Sequence, residues 1–160
     1  METIYLAGGC FWGVEELIRK LPGIVLTDVG YSGGHLENAT YKEVSTGTTG
    51  HAEAMKINFN PSEISLAKIL DFFFRIHNPT TPNQQGNDIG SQYRSVIFYS
   101  TEKQKEEAEQ AIQRAQNSGM WDKPIVTEVV PFKYFIRGEE YHQDYLQKNP
   151  NGYTCHWIRS

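Results

Sequence analysis

The first cysteine of the chain, Cys10, occupies a position that favours a nucleophilic thiol. It lies in residues 8–13 (GGCFWG), where an apolar strand gives way to a helix. Unpaired N–H groups and the dipole of a helix N-terminus favour an anion there, which predicts a thiolate with a lowered pKa. The alternative is a small buried thiol without chemistry, the usual fate of an unbridged cysteine. The local sequence alone leaves both open.

The second candidate is Glu53, which lies on a predicted strand. Alternation with a period of two residues places Glu53, Met55, Ile57 and Phe59 on one strand face, so the carboxyl points toward the core. A desolvated carboxyl has a raised pKa and can hold a proton near neutrality, as a general acid must. The alternatives are a glutamate that reaches solvent past the sheet edge and a structural ion pair.

Two tyrosines and an aspartate are further candidates for the same cleft. Tyr31 ends one predicted strand and Tyr93 begins another, so each is predicted to place a phenolic hydroxyl at the rim. The ordinary alternative for each is a half-buried ring with a satisfied hydroxyl. Asp88, in residues 86–90 (GNDIG), is equally compatible with a simple turn.

No metal or nucleotide cofactor is predicted. The residues considered as metal ligands are His51, His142, His156, Cys10, Cys155 and Glu53. They show neither C-x-x-C nor H-E-x-x-H spacing, and the chain has neither a P-loop nor a dinucleotide-binding glycine pattern.

Composition bounds the class of protein. A length of 160 residues predicts one domain spanning 1–160, and two cysteines are too few for a disulfide scaffold. The net charge of −4, without a Lys/Arg cluster, argues against nucleic acid as a partner, and no apolar run reaches bilayer-spanning length. No signal peptide is apparent, so we expect a cytoplasmic monomer, unless the chain is cut from a larger exported fusion.

Periodicity predicts an α+β fold. Strands are predicted at 2–7, 24–31, 52–59 and 93–99, and helices at 10–21, 39–44 and 64–74. The β-α-β-β-α-β order is that of a two-layer, ferredoxin-like sandwich. A helix at 101–117, a strand at 125–131, a short helix at 139–147 and a turn at 149–152 follow. The aperiodic segment 78–92 is predicted to be a functional loop.

Four motifs together resemble the A-type peptide methionine sulfoxide reductases. They are GCFWG at 9–13, GY at 30–31, TGTTGHAE at 46–53 and GNDIGSQYRS at 86–95. The resemblance extends through almost the whole chain. It implies a two-layer fold around a mixed sheet, with the active site at the N-terminus of the first helix.

The resemblance also implies a role for each candidate. Cys10 would attack the sulfoxide sulfur and Glu53 would donate a proton to the sulfoxide oxygen. Tyr31 and Tyr93 resemble the family's oxygen-binding hydroxyls, and Asp88 corresponds to an acidic residue that supports the pocket. By the same resemblance, Phe11 and Trp12 wall an apolar pocket for the substrate methyl group.

The resemblance also implies how the Cys10 thiol is regenerated. Attack on methionine S-sulfoxide, free or in proteins, would leave Cys10 as a sulfenic acid, which condenses readily with a second thiol. Cys155 resembles the family's resolving cysteine, on a C-terminal segment (149–160) expected to be mobile. A single Cys10–Cys155 disulfide would then be reduced by thioredoxin or a similar dithiol, giving an enzyme of protein repair under oxidative stress.

Two classes of protein compete with this interpretation. A thiol peroxidase would use the same sulfenic acid chemistry, although an aromatic pocket serves no purpose for peroxide. A ferredoxin-like binding module would explain the fold and make both cysteines packing residues.

Overall fold

The computed structural model describes residues 1–154 and 156–159 of the chain. Its strands are β1 (Glu2–Gly8), β2 (Ile24–Ser32), β3 (Ala52–Phe59), β4 (Gln84–Gln85), β5 (Asp88–Ile89), β6 (Ser95–Tyr99), β7 (Glu128–Pro131) and β8 (Phe135–Arg137). Its α-helices are α1 (Phe11–Ile18), α2 (Tyr41–Val44), α3 (Leu66–Ile76), α4 (Glu102–Asn117) and α5 (Tyr145–Lys148).

Six of the strands form one mixed sheet in the order β7-β6-β1-β3-β2-β8. The central β6-β1-β3-β2 portion is antiparallel throughout and is connected as β-α-β-β-α-β, which confirms the predicted ferredoxin-like core. At one edge β7 pairs with β6 in parallel, and at the other β8 pairs with β2 in antiparallel orientation. β4 and β5 form a separate two-stranded hairpin.

Burial follows from the sequence patterns of the helices and strands. The larger core lies between the sheet and the apolar sides of α1, α3 and α4, and Ile4, Ile57 and Phe73 within it are inaccessible to solvent. A smaller cluster covers the opposite sheet face around Ala54 and Phe98. The two longest of these helices begin at side-chain caps, Ser65 for α3 and Thr101 for α4. Among the described residues, no helix combines the length and apolarity needed to cross a membrane.

The sheet edges differ from the sequence prediction. The strand predicted at 125–131 begins only at Glu128, because the N–H groups of Ile125 and Val126 donate to Gln116 and Pro79 rather than to the sheet. β8 was not predicted, since its three residues carry no recognisable alternation. It pairs closely with Gly30, where a Cβ atom would collide with the β8 backbone.

The helix predicted at 139–147 is divided into two short pieces. A 3₁₀ turn spans Glu140–His142 and α5 follows, separated by Asp144 in a left-handed conformation with φ of 54°. The Gln143 amide explains the interruption: it accepts from Val29 N–H at 2.8 Å and donates to the carbonyls of Val29 and Gly138. The buried Gln143 side chain thereby provides hydrogen-bond partners for the backbone of β2 at Val29. A regular helix through residues 139–147 would move this side chain away from Val29.

The aperiodic segment 78–92 contains the β4–β5 hairpin and is fixed at its base. Gln85 is 2% exposed, accepts from Asn78 N–H at 2.6 Å and donates to the Asn78 carbonyl at 2.8 Å. Tyr93, predicted to begin a strand, instead ends a 3₁₀ turn (Ser91–Tyr93), and β6 starts two residues later. The Arg94 guanidinium donates hydrogen bonds to the carbonyls of Ser91 and Gly50, and so attaches this turn to the residues that precede β3.

Candidate active site

Cys10 lies at the N-terminus of α1, as the sequence predicts. It is the N-cap residue, with φ of −56° and ψ of 122°, and the chain reaches it through Gly9 at φ of 98°. Cys10 is 7% exposed, so it is largely shielded from solvent. The dipole of the helix acts on this position.

The carboxyl of Glu53 lies beside the same helix terminus. The backbone N–H of Phe11, the residue after Cys10, donates to Glu53 Oε1 at 3.2 Å, and Glu53 is 1% exposed. Its other oxygen, Oε2, is buried and has no hydrogen-bond partner among the described residues. Burial raises the pKa of Glu53 to about 8; the Phe11 N–H opposes this shift and the charge of Asp88 adds to it. Glu53 is therefore protonated at neutral pH.

Two tyrosine hydroxyls share the field of Cys10 and Glu53. Burial, then the charges of Glu53 and Cys10, raises the pKa of Tyr41 to about 12. Burial raises the pKa of Tyr93 as well, with additional contributions from Glu53, Tyr41, Asp88 and Cys10. Groups that shift one another's pKa lie close together, which indicates one site for Cys10, Glu53, Tyr41, Tyr93 and Asp88. The Tyr41 ring also lies 6.3 Å from the ring of Phe11, the residue after Cys10. Both phenols stay neutral and able to donate hydrogen bonds.

Tyr31 occupies a different position from the one predicted. It pairs with Glu53 in the β2–β3 register, but its side chain is inaccessible to solvent and its hydroxyl donates to Glu139 Oε1 at 2.7 Å. The other oxygen, Glu139 Oε2, accepts from the N–H of Tyr41 at 3.0 Å. Tyr31 therefore contributes no hydroxyl to the rim of the cleft. It fixes Glu139, which fixes the first residue of α2.

Tyr41 is a site residue that the sequence did not predict. It lies in the short helix predicted at 39–44, which begins with a capping box between Thr40 and Glu43. That pattern locates the helix but gives no sign that its first residue faces Cys10. Its placement depends on the contact with Glu139, 98 residues away in sequence, which local patterns do not reveal.

Aromatic side chains cluster around the first turn of α1, next to Cys10. The Trp12 indole stacks on Tyr145 with ring centroids 3.9 Å apart, and its Nε1–H donates to His142 Nδ1 at 2.9 Å. His142 in turn packs on Tyr41 at 4.3 Å. Phe11 is 1% exposed and lies beneath this cluster, whereas Trp12 is partly exposed. The result is an apolar wall with one accessible indole.

The segment that carries His142 is held against α1 by a buried acid. Glu15 is 1% exposed and accepts hydrogen bonds from Thr27 Oγ1 and from Asp144 N–H, both at 2.9 Å. Burial raises the pKa of Glu15 to about 7. Arg19 adds an ion pair to Asp144 at 3.1 Å. These contacts fix the aromatic wall relative to the first turn of α1.

Two predicted site residues remain, Asp88 and Cys155. Asp88 begins β5 in the hairpin beside Glu53. Cys155 lies outside the described residues, while Thr154 and His156 on either side of it are described. Within the described portion of the chain, no group of three His, Cys, Asp or Glu side chains could hold a metal ion.

Comparison with known proteins agrees with this geometry. The family model described as peptide methionine sulfoxide reductase matches residues 2–160. The chain is 53% identical to peptide methionine sulfoxide reductase MsrA 1 of Mesorhizobium japonicum over 158 residues, covering 99% of this chain and 90% of the relative. The chain belongs to the peptide methionine sulfoxide reductase family.

Solved structures show the same relationship. Mxr1 from Saccharomyces cerevisiae in reduced form has a TM-score of 0.94 and 42% identity, covering 99% of this chain and 92% of that one. Mxr1 in complex with Trx2 has a TM-score of 0.68 and 29% identity, covering 99% and 90%. The resemblance inferred from the four motifs is thus confirmed at the level of family and fold.

Proposed function

We propose that the protein reduces methionine S-sulfoxide, free or in proteins, to methionine, with Cys10 as the nucleophile and Glu53 as the acid. The observation that carries this proposal is the carboxyl of Glu53 beside the Cys10 helix terminus: one oxygen accepts the Phe11 N–H, and the buried Oε2 has no partner among the described residues. A protonated Oε2 is a donor that awaits a substrate acceptor.

The chemistry follows from the polarity of the sulfoxide S–O bond. As the Cys10 thiolate attacks sulfur, the oxygen becomes strongly basic and takes the proton of Glu53. Attack forms a bond between the two sulfurs; that bond and the S–O bond then break as the hydroxyl passes to the Cys10 sulfur. Methionine leaves with its sulfur reduced by two electrons, and Cys10 is oxidised by two electrons to a sulfenic acid. Tyr41 and Tyr93 donate hydrogen bonds to the same oxygen where charge develops, which stabilises the transition state. Tyr41 thus takes the role first assigned to Tyr31.

The charge of Asp88 supports the acid. Because it helps to raise the pKa of Glu53 to about 8, it favours the protonated carboxyl before the substrate arrives. Trp12 offers an apolar indole to the substrate methyl group, and Phe11 forms the buried base beneath it. The His142 contact and the Tyr145 stack keep the indole in place.

Reduction of the Cys10 sulfenic acid back to the thiol completes the catalytic cycle. The sulfenic acid of Cys10 condenses with the Cys155 thiol to a disulfide with release of water, and thioredoxin reduces that disulfide. Support for thioredoxin comes from Mxr1, a relative whose structure in complex with Trx2 is known. Within the segment 149–160, Cys155 is proposed to keep enough mobility to reach Cys10, although other residues of this segment make fixed contacts. We further propose a single-domain, cytoplasmic monomer that needs no metal or organic cofactor and serves in repair of oxidised proteins.

Turnover of the two methionine sulfoxide epimers with thioredoxin tests this proposal. We expect reduction of the S epimer and little of the R epimer, and much slower turnover of hydrogen peroxide. Preference for peroxide would identify a thiol peroxidase instead. Rapid labelling of Cys10 by a thiol reagent at pH 6 separates the enzyme from a binding module, in which a packing thiol reacts slowly.

A further inference from the structure

The C-terminal segment is docked against the residues that lead into Cys10. His156 is 6% exposed, and its Nε2 donates to the Gly8 carbonyl at 2.7 Å, although 148 residues separate the two in sequence. The side chain of Thr154 accepts from the His156 N–H at 3.2 Å. A buried ring thus ties this segment to the strand end two residues before the thiol.

Two glycines create the space that receives the His156 ring. A Cβ atom added to Gly13 would come closer than 3.0 Å to His156 Nδ1 and to Thr154 Oγ1. A Cβ atom added to Gly9 would lie 3.1 Å from His156 Nε2. Gly9 and Gly13 flank Cys10 on both sides in sequence. We call this space the glycine notch.

A second attachment lies beyond the ring. The N–H of Arg159 donates to the Arg75 carbonyl at 2.8 Å, and Arg75 Nε donates to the Arg159 carbonyl at 2.8 Å. This reciprocal pair holds the segment to the last turn of α3 but is exposed to solvent. The buried contact of His156 is therefore the one closest to the active site and the one most shielded from water.

We propose that His156 is a positioning residue for the second half of the reaction: by seating in the glycine notch it holds the Cys155 segment at the helix terminus that carries Cys10. This inference rests on the proposed function. In the step concerned, the Cys155 sulfur attacks the sulfur of the Cys10 sulfenic acid, an S–S bond forms, the S–O bond breaks, and the oxygen leaves as water. No additional oxidant or reductant enters this step.

The physical benefit is a higher effective concentration of the resolving thiol. A tethered thiol that samples many positions meets its target less often than one held near it, with no change in the chemistry of either sulfur. The contacts of His156 described above are with Gly8 and Thr154, neither of which is assigned a part in the attack on the sulfoxide. Its loss should slow disulfide formation and spare the attack on the sulfoxide.

The experiment separates the two steps in a single turnover with one equivalent of methionine S-sulfoxide, without thioredoxin. Methionine release and loss of the first titratable thiol report the first step, and loss of the second thiol reports disulfide formation. His156→Ala should form methionine at a rate within about twofold of wild type but form the disulfide about tenfold more slowly. His156→Gln retains an amide N–H for the Gly8 carbonyl and should recover most of that rate.

Gly13→Ala provides a second variant, because it fills the notch without altering His156 and alanine favours a helix over glycine. It should reproduce the slow disulfide step. Ile158→Ala, at a residue 51% exposed in the same segment, is the matched control and should match wild type.

Wild-type disulfide formation in His156→Ala would overturn the inference, and so would an equal slowing of both steps in His156→Ala and Gly13→Ala. Failure of the wild-type protein to release methionine would instead refute the proposed function.

Discussion

The backbone N–H of Phe11 donates to Glu53 Oε1 at 3.2 Å, joining the first turn of α1 to the middle of the sheet across 42 residues of sequence. This one hydrogen bond places the acid beside the nucleophile, since Phe11 directly follows Cys10. It also uses only one carboxyl oxygen, and the other stays buried without a partner among the described residues. The acid is thereby oriented before any substrate binds.

Replacement of Glu53 by Gln should slow the first turnover by roughly 10²–10³-fold, the loss typical of one transition-state donor. The wild-type rate should fall as pH rises above about 8, because Glu53 then loses the proton that it donates. Glu53→Gln should lack this decline. Rapid-quench measurement of methionine release between pH 6 and 10 checks both points, and an unchanged rate at pH 7 would exclude Glu53 as the acid.

Glu53→Gln, which should slow the reaction, should also stabilise the folded protein. Because the pKa of Glu53 is raised from 4.5 to about 8 in the folded protein, the folded state binds more protons than the unfolded state within that window. The free energy of unfolding contributed by Glu53 therefore falls as pH rises from 4.5 to 8. Glu53→Gln should gain roughly 2–5 kcal/mol relative to wild type across this range. Urea unfolding at pH 5 and pH 8.5 measures the difference, and a pH-independent difference would contradict the burial argument.

The three tyrosines should separate by function. Tyr41→Phe and Tyr93→Phe each remove a hydroxyl in the field of Glu53 and Cys10, and should slow the first turnover by roughly 10²-fold. Tyr31→Phe is the matched control, since its hydroxyl contacts Glu139 and acts on Tyr41 only indirectly. Its effect should be below about tenfold. A larger loss in Tyr31→Phe than in Tyr41→Phe would restore the original assignment.

The hydrogen bond from Trp12 to His142 should govern substrate binding more than chemistry. His142→Ala removes the acceptor of the indole N–H and should raise KM several-fold with little change in kcat, because the methyl pocket loosens. His142→Asn keeps an acceptor and should restore part of the affinity. Steady-state kinetics with a methionine sulfoxide peptide provide the measurement; a fall in kcat at constant KM would assign His142 to the chemical step instead.

Local patterns were sufficient for the framework of the site. The switch from period two to period 3.6 predicts Cys10 at the start of α1, and strand alternation predicts the inward carboxyl of Glu53, which is 1% exposed. The β-α-β-β-α-β order likewise predicts the central antiparallel sheet. These features depend on residues close in sequence, where periodicity carries the information.

Features fixed by distant contacts were not predictable in this way. Tyr31 and Tyr41 differ in role because Glu139 binds the hydroxyl of one and the N–H of the other. The break at Asp144 depends on Gln143 reaching Val29 in β2. No local pattern in either segment reports its partner, so only the folded structure distinguishes the two tyrosines.

The most direct test of the central claim is a single turnover of the Cys155→Ser variant with one equivalent of methionine S-sulfoxide, followed by mass analysis of its peptides. The account predicts about one equivalent of methionine and one added oxygen atom on the peptide that contains Cys10, with neither product in Cys10→Ser. Methionine release by Cys10→Ser, or methionine release without oxidation of Cys10 in Cys155→Ser, would contradict it.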